Sequence, residues 1–96
     1  MRILISKPKK DCLDKELIWD YVFDSITDSR FLEKLSLSGV LELFTDFPRP
    51  FFRFSDSSGM QIKGILGTTS CTVFFSKTNK PEQKDFFEQL ISNLEN

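Results

Sequence analysis

The chain has no histidine. That removes the commonest general acid–base and the commonest neutral metal ligand from every mechanism it could run. Cysteine is nearly as scarce: Cys12 and Cys71, almost sixty residues apart. No C-x-x-C pair exists, so thioredoxin-type redox chemistry and cysteine-rich zinc sites lack their ligands. Two buried reduced thiols are the plain reading, since free cysteine is among the most buried residue types. Long apolar runs are missing, and no stretch approaches membrane-spanning length. Near the N-terminus only Ile3, Leu4 and Ile5 run together before Lys7, Pro8, Lys9 and Lys10, which is no signal-peptide core. The expectation is a cytoplasmic protein with no membrane partner.

Net charge is also lacking. The formal value is −1, so no global field draws nucleic acid or anionic lipid. What is abundant is phenylalanine, eleven in 96 residues. Each ring can bury a large apolar area, so a short chain can still build a core. The length suits one domain spanning 1–96.

Along the chain, Ile3–Ile5 reads as a short strand over about 1–6. Leu17, Ile18, Tyr21, Val22 and Ile26 recur at helical spacing, with Glu16, Asp20 and Asp24 on other positions. This spacing predicts a helix over about 13–27. Phe31, Leu32 and Leu35 predict a short second helix. From residue 40 the period becomes two. Leu41, Leu43 and Thr45 alternate with Glu42, Phe44 and Asp46; Phe52 and Phe54 alternate with Phe51 and Arg53. Met60 to Leu66 and Cys71 to Ser76 predict two further strands, and Asp56–Gly59 predicts the hairpin turn between residues 55 and 60. A last helix starts at Pro81, with Phe86, Phe87, Leu90, Ile91 and Leu94 as its apolar stripe. The fold class is therefore α+β: a single domain of order β-α-(short α)-β-β-β-β-α, with two helices packed on one face of an antiparallel sheet.

Such a sheet leaves its other face open. In the register read here that face carries Phe44, Phe51, Arg53, Lys63, Ile65 and Phe74. An exposed apolar patch marks an interaction site. The expected function is a small non-enzymatic protein-interaction or adaptor domain that uses this aromatic face, with another protein or a second copy of itself as partner. No cofactor or metal is expected.

Two alternatives use other features. Charge is unevenly spread: residues 11–47 hold nine acidic and three basic residues, and 49–84 hold six basic and two acidic. Rings beside Arg53 and Lys63 on a sheet resemble the platforms that hold single-stranded nucleic acid, so the same face is a candidate nucleic-acid module. The predicted order resembles one repeat of the TATA-binding-protein fold (strand, helix, four strands, helix), and that resemblance implies an open sheet face used on DNA. The second alternative is an acidic inhibitor of a nucleic-acid-processing protein. On a helix over about 13–27, Glu16, Asp20 and Asp24 line one face, Asp28 continues the row just past its end, and together they imitate phosphates. Self-contained catalysis is not expected: serine and cysteine have no histidine to activate them, the Gly64/Gly67/Thr68–Ser70 stretch lacks the P-loop's Gly-Lys-Ser/Thr, and like carboxylates four apart suit a solvated helix face.

Overall fold

The computed structural model describes residues 1–9 and 17–94. In chain order its elements are β1 (Ile3–Pro8), β2 (Ile18–Phe23), α1 (Ser29–Ser36), β3 (Val40–Phe44), β4 (Phe51–Ser55), β5 (Gln61–Ile65), β6 (Ser70–Phe74) and α2 (Lys80–Ser92). The six strands form one sheet in the order β1-β2-β6-β5-β4-β3. Every neighbouring pair is antiparallel. β3 to β6 are a meander, and the link containing α1 carries the chain from β2 to the far edge. The radius of gyration, 12.6 Å, is that of a single compact domain of this length.

The α+β class and the antiparallel sheet with two helices stand as the sequence predicts. One element does not. The helix expected over 13–27 is, in its described part, the strand β2. Its apolar residues satisfy both periods, but Ile, Trp, Tyr, Val and Phe are all strand formers. Alternation sends Trp19, Tyr21 and Phe23 to one side and Ile18, Asp20 and Val22 to the other. From β2 onward the TATA-binding-protein order is still strand, helix, four strands, helix; β2 takes the place of the expected first strand, α1 that of the expected first helix, and β1 is an added edge strand before them.

Both helices cover one face, and rings join them to it. Phe31 of α1 lies 5.7 Å from Phe52 and 6.1 Å from Phe23. Phe87 of α2 packs edge-on to Tyr21 at 4.8 Å. Tyr21, Phe52, Phe54, Ile62, Val73, Phe31, Leu35 and Phe87 are completely buried. Gly64 is required here: a Cβ at this position would stand 2.7 Å from the Phe52 ring. The predicted stripe of α2 needs one correction. Gln83, Phe87, Leu90 and Ile91 are the buried residues, while Phe86, one helical step (about 100°) from Phe87, is exposed. Asp28 caps α1 by accepting from the Phe31 N–H. At the β4–β5 turn, the Asp56 carboxylate accepts from the Ser58 and Met60 N–H groups, and Gly59 takes a positive φ of 95°.

Candidate interaction face

The uncovered face is organised in rows across the strands. The registers place Lys7, Asp20, Thr72, Lys63, Arg53 and Glu42 side by side, one from each strand. This polar row crosses the whole sheet. Beside it runs a row of Ile5, Val22 and Ser70, continued by Ile65, Phe51 and Phe44. On its other side lie Ile18, Phe74, Gln61, Ser55 and Val40. No described element packs on these rows.

The rings are fixed by cross-strand pairing. Phe44 and Phe51 stack with centroids 4.6 Å apart and planes 13° apart, and Phe47 leans on Phe51 at 5.4 Å. All three phenylalanines of the rows are half-buried, and Ile65 is exposed. Arg53 donates from Nε and Nη2 to Glu42 Oε1, at 3.0 and 2.8 Å, and its guanidinium lies 5.5 Å from the Phe44 centroid. Both partners of that ion pair are nearly half exposed, so its contribution to stability is at most about 1 kcal/mol. Lys63 stands directly opposite Arg53, with its ammonium 5.0 Å from the Phe74 ring centre. Like charges in directly opposed positions are destabilising, and Glu42 answers only one of the two. Farther along the row, Thr72 Oγ1 donates to Asp20 Oδ1 at 2.9 Å.

A cleft of about 340 Å³ opens on this face between Asp20, Lys63, Ile65, Ser70 and Thr72. Cys71 lies beneath it, and burial, then the negative charge of Asp20, pushes its thiol far above the ordinary range. It is a neutral thiol, not a nucleophile, at physiological pH. A second cleft of about 440 Å³ lies between the β4–β5 turn and α2, lined by Ser58, Gln83 and Phe86. The polar groups of Gln83 are engaged within the protein. Among the described residues no buried side-chain polar atom lacks a partner, and no group of three Cys, Asp or Glu is placed to hold a metal ion.

The structure brings together all six residues singled out in the sequence: Phe44, Phe51, Arg53, Lys63, Ile65 and Phe74. It adds Ile18, Asp20 and Val22 of β2, which the helical reading hid, and Ile5 and Lys7 of β1, which join the face by pairing with Val22 and Asp20. The acidic row dissolves. Asp20 belongs to the sheet face, Asp24 accepts from the Arg2 N–H, Asp28 is the α1 cap, and Glu16 lies outside the described residues, as does Cys12. The Gly64–Ser70 stretch is a hairpin end held by Thr27, whose backbone N–H donates to Thr68 O. No helix among the described residues is long and apolar enough to cross a membrane.

The sequence matches no family model, and comparison with curated proteins and with solved structures finds no match.

Proposed function

We propose that this chain is a non-enzymatic protein-interaction domain whose partner, itself a protein, seats on the open sheet face. The observation that carries this reading is the stacked Phe44–Phe51 pair with Phe74, half-buried and covered by no described element. A sheet face solvated for its own sake would alternate toward polar residues. A largely apolar row on one side of the charged one, and Ile18, Phe74 and Val40 among polar residues on the other, instead offer both area and orientation to a partner. The charges favour protein over nucleic acid. Arg53 is engaged by Glu42, and Asp20 adds a second carboxylate to the same row. With Cys71 a free buried thiol, a reducing cytoplasm is the setting this reading assumes.

The test is affinity capture from the native host, nuclease-treated, with the wild-type chain and with Phe51→Ser and Phe74→Ser. Both side chains are only half-buried, so both variants are expected to keep the wild-type circular dichroism spectrum and a cooperative melt. Each is expected to lose the captured protein. Capture that persists in both folded variants, or that vanishes with nuclease in the wild type, overturns the reading.

A further inference from the structure

The charges of the polar row follow the order plus, minus, neutral, plus, plus, minus from β1 to β3. That order is complementary to its own reverse. A twofold axis lying in the face, parallel to the strands and midway between β6 and β5, sets β1 opposite β3, β2 opposite β4 and β6 opposite β5 of a second copy. Lys7 then meets Glu42, Asp20 meets Arg53, and Lys63 meets Thr72 with Asp20 on the diagonal. Lys63, which pairs with no carboxylate among the described residues of its own chain, gains one. The neighbouring apolar row also meets itself reversed, so Val22 opposes Phe51 and Ile5 opposes Phe44. The alternative axis, along the row, sets each residue against its own copy, with Lys63 on Lys63, Arg53 on Arg53 and Asp20 on Asp20. Six strands at about 4.8 Å and five residues at about 3.3 Å give the face roughly 480 Å² in plan. Side-chain relief raises that toward the roughly 800 Å² per partner of a standard stable interface.

We infer that the occupant of the open face is a second copy of this chain, packed face to face about a twofold axis parallel to the strands. This inference rests on the open face being the contact surface. Packed sheets are rotated by about 30°, so the contacts nearest the axis, Thr72 with Lys63 and Asp20 with Arg53, specify the arrangement, and the outer Lys7–Glu42 contact adds less. The interface is isologous, so each cross-copy contact occurs twice.

That symmetry supplies the test. In Asp20→Arg both copies of the contact become arginine against arginine; in Arg53→Asp both become aspartate against aspartate. Each variant alone is expected to weaken self-association by at least about a hundredfold, two close charge pairs being reversed together. Mixed in equal amounts, the two variants restore both contacts. In one the native Arg53 meets the native Asp20; in the other the same pair of charges meets with its sides exchanged. The mixture is therefore expected to form a heterodimer near wild-type affinity. Sedimentation velocity over a wide concentration range reads all three, with circular dichroism confirming that each variant is folded. Should Arg53→Asp destabilise the fold by leaving Glu42 beside a second carboxylate, Arg53→Gln serves as the single variant. It is expected to weaken the dimer about tenfold without that repulsion. A monomeric wild type overturns the inference, as does a mixed pair that fails to associate. If the wild type is monomeric while Phe51→Ser and Phe74→Ser still abolish capture of another protein, the contact surface stands and only its occupant was wrong.

Discussion

Gln83 and Thr27 are the buried polar side chains among the described residues, and they differ in what they leave behind when removed. Gln83 ties α2 to two loops. Its Nε2 donates to Ser58 O and Ser58 Oγ at 3.0 and 2.7 Å, and its Oε1 accepts from the Ser76 N–H at 2.8 Å. Thr27 Oγ1 donates toward Ile65 O and Thr68 O. Those two carbonyls keep other donors, the Thr68 hydroxyl for one and the Thr27 N–H for the other. Gln83→Leu therefore strands a backbone N–H, whereas Thr27→Val strands nothing. The expected costs are about 2 kcal/mol for Gln83→Leu and about 1 kcal/mol or less for Thr27→Val. Each kcal/mol corresponds to roughly 4–8 °C of melting temperature at this chain length. Urea unfolding at unchanged slope separates the two; equal losses would show that water satisfies the Ser76 N–H.

At the scale of elements, β2 is the strand on which the sheet depends. It is hydrogen-bonded on both sides, to β1 and to β6, while β1 and β3 are edges with one neighbour each. Its amides are expected to exchange with solvent as slowly as those of β6, through global unfolding alone. Alternate amides of β1 and β3 should exchange far faster. Fast exchange across residues 19–22 would remove β2 from the sheet interior. This is also the element the sequence hid. Leu17, Ile18, Tyr21, Val22 and Ile26 fit a helical stripe because β2 is apolar on both sides, and a strand covered on one face and stacked in rows on the other loses its clean alternation. What places Ile18–Phe23 between β1 and β6 is pairing with residues about fifty positions away, which no local pattern contains. The β4–β5 hairpin was legible for the opposite reason. Asp56 and Gly59 specify their turn by side-chain hydrogen bonding and φ alone, and alternation in β3 to β6 then fixed which six residues share the open face. The five residues contributed by β1 and β2 stayed out of reach because their face depends on β2 being a strand.

At the scale of the whole molecule, the topology mixes charges that the sequence keeps apart. Residues 11–47 are acidic and 49–84 basic, yet the sheet order sets β2 beside β6 and β3 beside β4. Asp20 and Glu42, from the acidic half, thus bracket Lys63 and Arg53 from the basic half. The open face carries three cations and two carboxylates in its polar row, and the chain as a whole is −1. A platform for single-stranded nucleic acid needs a groove of uniform positive potential beside its rings, and here the rings are present without the potential. Titration of a labelled ten-base oligothymidine is accordingly expected to show no saturable binding at physiological salt. Were Lys7, Lys63 and Arg53 all to meet phosphates, affinity would fall roughly twentyfold between about 50 and 200 mM salt, the counterion release of three contacts to a single strand. Micromolar binding with that slope, lost in Lys63→Ala and Arg53→Ala, would move the aromatic rows from a protein contact to a base-stacking surface. Absent or salt-insensitive binding leaves Asp20 and Glu42 as the residues that turn this face toward protein.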